Sequence, residues 1–329
     1  MKMNSVNPRN FSASNRLKRS ALVLLVSLIV LPFSSLNISA LAASWKVGAE
    51  MPAVVPTAEA VHINRKIYVL SGSVGHGLRQ FFEVYDIAED GWRSLTPLPS
   101  KIQDFASVAM NGRILVTGGR NIDGGGEASS SAWIYAIESA VWVQISPMPS
   151  PVYGHRMVAI GNFVYVLAGA GQQDVFAYNI DDGNWEVFTD MPEPLTGAAA
   201  TADANGNLIL AGGTGADGKD RRAVWSLNIA SKRWSKLPDL PIPVRSASLV
   251  SLPDGLHIVG GFDSKAQKSL DRHFVQTKGV WKKGPALPQA RYHMASAVAD
   301  DRLYIMGGAA GVGFFSWFTG SDRLYILEK

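Results

Sequence analysis

The sequence predicts an all-β ring of six four-stranded sheets, a six-bladed β-propeller, and three recurring features predict it. Tryptophans stand at Trp45, Trp92, Trp142, Trp185, Trp234 and Trp281, separated by 47, 50, 43, 49 and 47 residues. Each precedes an apolar residue and a proline: Met51-Pro52, Leu98-Pro99, Met148-Pro149, Met191-Pro192, Leu240-Pro241 and Leu287-Pro288. Between them lie apolar strands that end in small residues, such as the ILVTGG ending at Gly119 and the LYIMGG ending at Gly308. A period of roughly 40–50 residues marks a repeat whose unit is one supersecondary element. Such units cannot bury their own faces and stack to do so.

The elements follow in chain order. Residues 1–43 carry five bases and no acid, then the apolar run Ala21–Phe33, then Ala40-Leu41-Ala42. A basic start, an apolar centre and an A-x-A site predict a cleaved secretory signal peptide. The alternative is an uncleaved anchor, although the 13-residue apolar run falls short of the roughly 20 residues a spanning helix needs. No later segment is long and apolar enough to span. The mature chain then begins with Ser44–Gly48, a lone strand carrying Trp45.

Blade two shows the full unit. Ala106–Met110 is a strand of small residues, Asn111-Gly112 a tight-turn pair, and Arg113–Thr117 an apolar strand. Gly118-Gly119 ends it where larger side chains would crowd the axis. Trp133–Ile137 and Val141–Ile145 complete the sheet. The last repeat has Met294–Ala299, Leu303–Met306 and Leu324–Leu327 but no tryptophan strand. The segment at Ser44–Gly48 supplies the missing strand, so the ring is expected to close by pairing its two ends, which removes two edges. The domain is then 44–329.

Composition bounds the function. The formal charge of +4 comes from 31 bases and 27 acids; without residues 1–43 it becomes 26 against 27, or −1. That removes the support for nucleic-acid binding, which needs a clustered basic surface. The chain has no cysteine, so disulfides and thiolate chemistry are excluded. Export without disulfides suits a bacterial periplasm or surface. The six histidines form no short-spaced ligand pair, the glycines lack G-K-[ST], and no G-x-S-x-G is present. No metal or cofactor is expected.

The glycine pairs, the Val84-Tyr85-Asp86 and Phe176-Ala177-Tyr178-Asn179 stretches, and the spaced tryptophans and Met-Pro pairs resemble the Kelch repeat over residues 44–329. The resemblance implies a ligand face built by the loops leading into each blade's first strand and by those after the glycine pair. Galactose oxidases are Kelch enzymes whose copper site uses a tyrosine cross-linked to a cysteine, which this chain lacks. Exported bacterial Kelch proteins of the N-acetylneuraminate epimerase family, sialic acid mutarotases, are distantly similar. Their fourth blade carries a glutamate where this chain reads Leu210-Ala211-Gly212-Gly213.

Aligned by eye past each proline, the first position holds Thr57, Gln103, Tyr153, Thr196, Arg245 and Arg291. Two residues on stand Glu59, Phe105, His155, Ala198, Ala247 and His293. The loops after the glycines add His76, Arg79, Arg120, Asp123, Arg221, Arg222 and the aromatic run Phe314-Phe315-Ser316-Trp317-Phe318. That run either packs over the closing blade or forms a stacking platform. Arginines recognise carboxylates in a bidentate fashion, so Arg245 and Arg291, with Arg221 or Arg222, are a candidate clamp. His155, His293 and Glu59 are candidate proton donors or acceptors. Packing roles stand beside each of these. The sequence thus supports an exported binding module for a small glycan or a protein segment, with a mutarotase or epimerase of an acidic sugar as the alternative, and a structural-assembly role as a third.

Overall fold

Turn chemistry and apolar alternation set each sheet. A computed structural model describes residues 43–72, 80–121, 125–311 and 319–328. In blade two, Ala106–Met110 and Arg113–Thr117 meet at Asn111-Gly112, both with positive φ (48° and 70°). This is the twist that a two-residue hairpin requires. Ala132–Ala136 and Val141–Ile145 complete the sheet. The third strand starts one residue before the predicted Trp133, because Ala132 pairs with Thr117 on one side and Ile145 on the other.

Among the described residues six such four-stranded sheets are present. Their innermost strands are Glu59–Ile63, Ala106–Met110, Arg156–Ile160, Ala199–Ala202, Ser248–Leu252 and Ala295–Ala299. They line an axial channel of about 440 Å3. The small side chains of these strands leave that channel open.

Aromatic and aliphatic side chains fill the seams between blades. Tyr85 of blade one and Tyr304 of blade six share one cluster, and Phe82, Tyr135 and Trp142 fill the next seam. Each repeating tryptophan also donates its indole N–H to a carbonyl near the end of the preceding blade. Trp92 donates to Ala49, Trp142 to Thr96, Trp185 to Ser146, Trp234 to Asp190, Trp281 to Pro238 and Trp45 to Pro285, all at 2.7–3.0 Å. The period of the tryptophans is therefore the period of the seams.

The sixth sheet takes its outer strand from the start of the domain. Ser44–Val47 pairs antiparallel with Leu324–Glu328, Trp45 opposite Leu327. Beneath this strand runs a buried histidine chain. His257 Nε2 lies 2.9 Å from Asp254 Oδ1, its Nδ1 2.9 Å from His273 Nε2, and His273 Nδ1 3.1 Å from the Pro285 carbonyl that Trp45 also uses. Among the described residues no helix is long and apolar enough to cross a membrane.

Candidate functional site

The site is built where each chain segment turns into a first strand. Strand pairing fixes which residues are equivalent: Glu59, Ala106, Arg156, Ala199, Ser248 and Ala295 each begin the first strand opposite the residue before the small pair. Counting from the proline gives one spacing in all six blades. The fourth residue after it is Pro56, Gln103, Tyr153, Thr196, Arg245 or Tyr292. The alignment by eye therefore slips one residue forward in blade one, to Thr57, and one back in blade six, to Arg291. A one-residue slip turns a side chain to the opposite face.

This slip accounts for the main correction. Arg291 occupies the position held elsewhere by Val55, Ile102, Val152, Leu195 and Val244, all buried. It is 2% exposed, its guanidinium bonds to Gln289 and lies 5.9 Å from the Tyr325 ring, and its Nε and Nη1 have no hydrogen-bond partner. The residue belongs to a seam and does not line the mouth. The predicted clamp is not assembled. Arg221 is held by Glu193 and Asp217, each at 2.9 Å, and Arg222 donates to the Leu240 carbonyl at 2.6 Å. His155 is fully buried, bonded to Thr117 Oγ1 at 2.9 Å, and burial pushes its pKa down to about 3. Proton exchange with a ligand is closed to it. Phe314, Phe315, Trp317 and Phe318 lie outside the described residues, as do His76, Arg79 and Asp123.

The residues that do converge line a mouth of about 300 Å3, among them Glu59, Asp104, Arg120, Tyr153, Arg156, Arg245 and His293. Five consecutive blades place a left-handed residue at its rim: Asp104, Gly154, Gly197, Ser246 and His293, with φ between 52° and 65°. Side chains pay strain in that region, and backbone bonds between blades hold it. Gly154 N–H donates to the Asp104 carbonyl, Ser246 N–H to Gly197 and His293 N–H to Ser246, at 2.7–3.1 Å. The glycine pair permits the approach behind the rim. A Cβ on Gly118 would stand 2.4 Å from the Val152 oxygen.

Three guanidiniums face two carboxylates in the mouth. Arg120 Nε donates to Asp104 Oδ2 at 2.8 Å and its guanidinium lies over the Tyr153 ring at 5.2 Å. Arg245 stacks on Phe262 at 4.9 Å and donates to Ser264 Oγ at 2.9 Å. Among the described residues no carboxylate pairs with it. Arg156 Nη1 lies 3.6 Å from Glu59 Oε1. Burial pushes the Glu59 carboxyl up to about 7, with Arg156 and the Ser107 N–H pulling the other way. Burial pushes His293 down to about 4, opposed by Asp104 and assisted by Arg156 and Arg245. His293 is thus neutral at neutral pH and Glu59 is poised between its two forms.

Arg156 is the residue that sequence reasoning missed. The constant spacing from the proline would have found it, since Glu59 and Arg156 are both the seventh residue after one. Among the described residues no group of three or more His, Asp or Glu is placed to hold a metal ion.

Comparison with known proteins adds the family. A model described as the Attractin/LZTR1 beta-propeller matches residues 67–313. Kelch-like protein 40 of Xenopus laevis is 30% identical over 107 residues, covering 32% of this chain and 17% of that protein. Kelch-like protein 35 of Mus musculus is 28% identical over 256 residues, covering 74% of this chain and 41% of that protein. The chain thus spans less than half the length of either relative. The solved structure of YjhT superposes with a TM-score of 0.72 at 18% identity, covering 85% of this chain and 99% of that one.

Proposed function

The chain belongs to the Attractin/LZTR1 beta-propeller family and carries Kelch repeats, and from that premise we propose that it is a binding module whose mouth captures a carboxylate-bearing ligand. The ligand is an acidic sugar or an acidic segment of a protein. Kelch propellers generally bind protein partners, and the mouth is of a size to take one monosaccharide or one side-chain cluster. The observation that carries the reading is Arg245: a guanidinium fixed by stacking on Phe262 and by Ser264, facing the mouth, with no carboxylate partner among the described residues. A planar donor fork held in this way is preorganised for a carboxylate. Export to a periplasm or cell surface, through residues 1–43 as a signal peptide, is part of the proposal. The intact mass of the purified mature protein tests it.

Calorimetry with N-acetylneuraminate and with a short glutamate-rich peptide tests the binding role. Binding of either that is lost in Arg245→Ala supports it, and absence of binding by both refutes it.

One observation favours a second reading, a mutarotase of an acidic sugar. Glu59, with its pKa at about 7, is tuned for general acid–base work at neutral pH. It sits at the base of the same mouth, in blade one, away from the blade-four position the epimerase family uses. Proton NMR of freshly dissolved α-N-acetylneuraminic acid decides it. Faster anomer equilibration with the protein, abolished in Glu59→Gln, is the expected signature of that reading.

A further inference from the structure

Glu59 and Arg156 occupy the same strand position in blades one and three, and the other four blades hold Ala106, Ala199, Ser248 and Ala295 there. The two charges reach toward each other over blade two, whose Ser107 N–H supports the carboxylate. Both residues line the mouth above and the axial channel below. They form the floor between the two spaces.

The three mouth arginines are held differently. Asp104 holds Arg120 and Phe262 with Ser264 holds Arg245. Arg156 has Glu59 and, through Nη1, its neighbour's carbonyl at His155, 3.0 Å away. We propose that Glu59 and Arg156 are a proton-coupled latch, in which a carboxylate ligand takes Arg156 from Glu59 as Glu59 takes up a proton. The latch rests on the reading of the mouth as a carboxylate site and names how that site is regulated.

The coupling follows from charge. A ligand carboxylate on Arg156 removes the counter-charge of Glu59 and sets a like charge beside it. Both changes favour the protonated form of Glu59. Asp104 of blade two, paired with Arg120, and Arg245 of blade five also face the mouth. His293 of blade six is neutral in this range and does not move the balance. The buried His155 beneath Arg156 is neutral as well. By linkage, proton uptake on binding means tighter binding at lower pH. With Glu59 titrating near 7 in the free protein, full coupling gives about tenfold tighter binding at pH 6 than at pH 8, flattening below that.

The test uses the mature protein and N-acetylneuraminate, with the glutamate-rich peptide as a second probe. Titration calorimetry at pH 7.5 in two non-anionic buffers of different ionisation enthalpy counts protons without any variant. Uptake of more than half a proton per ligand is expected. Glu59→Gln should bind with an affinity that no longer changes between pH 6 and pH 8. Binding with no proton uptake removes the latch and leaves the mouth reading intact. Loss of binding by both probes at every pH removes the mouth reading and the latch with it.

Discussion

Glu59→Gln is also a stability experiment, and its size follows from the site. The Glu59 carboxyl titrates at about 7 in the folded protein against an ordinary value of 4.5. The folded state therefore holds its proton more tightly than the unfolded state. Stability from this group is complete below pH 4.5 and is lost as pH rises through 7. The difference of 2.5 pH units (7 − 4.5), at about 1.4 kcal/mol each, makes the loss about 3 kcal/mol. His155 and His293 tilt the profile in the opposite direction. Their values fall from 6.5 to about 3 and about 4, so their contribution is present above pH 6.5 and lost on acidification. The two histidines outweigh the carboxyl below about pH 6.5, so the wild-type profile from these groups rises to a plateau and masks the Glu59 loss. The informative quantity is the difference between wild type and Glu59→Gln, in which the histidines cancel. Glutamine keeps the shape and carries no charge. Urea unfolding at half-unit steps from pH 4.5 to 8 should show the variant gaining on wild type by up to about 3 kcal/mol across that range. Parallel profiles would refute the raised Glu59 value and the burial argument behind it.

Three further outcomes are expected. Arg291→Val restores the aliphatic residue that the other five blades carry and removes a buried guanidinium with two unpartnered nitrogens; it should raise stability by about 1–3 kcal/mol in urea unfolding, and a loss of that size would mean the cation is satisfied in the seam. Deleting Ser44–Val47 removes the outer strand of the sixth sheet and the Trp45 bond to Pro285; about 3–5 kcal/mol should be lost, lowering Tm by roughly 10 °C, whereas an unchanged Tm would show that the ring does not depend on that strand. The Asp254–His257–His273–Pro285 chain ends on an acceptor at each side, so its three contacts need three ring protons across two imidazoles. Nitrogen-15 spectra of labelled histidine should show a coupling across the His257–His273 bond, and the absence of that coupling would contradict the chain.

Most of the fold was legible because the repeat repeats its contacts. Six tryptophans serve six seams with one bond type, so selection for closure leaves a period that pattern reading detects. Even the missing strand of the last sheet announced itself as a gap filled by Ser44–Val47. The mouth was less legible because its residues are the ones that depart from the repeat. Glu59 and Arg156 stand where other blades have alanine or serine, and Arg291 stands where other blades have aliphatics. Their meaning depends on register, and alternation makes register unforgiving. A slip of one residue brought Arg291 into the predicted clamp and hid Arg156, although both lie within a few residues of a Leu-Pro or Met-Pro pair.

The same contrast separates structural charges from functional ones here. Arg221 is held by Asp217 of its own loop and by Glu193 of the segment that leads into blade four, and Arg291 stands in a seam in place of an aliphatic. Neither can approach a ligand without breaking what holds it. Arg245 is fixed by an aromatic face and by the Ser264 hydroxyl, which in turn donates to Asp220, so the guanidinium is oriented with no carboxylate in direct contact among the described residues. Arg156 is neutralised only by a carboxyl that is itself half protonated near pH 7. The cations available to an anionic ligand are thus the two that no fully charged carboxylate holds at hydrogen-bond distance; both line the mouth, and Arg156 also lines the channel below it. If charge availability decides function at this mouth, Arg245→Ala should abolish carboxylate binding, Arg156→Ala should remove its pH dependence, and Arg221→Ala should change neither. Binding lost in Arg221→Ala with the fold intact would overturn that ordering.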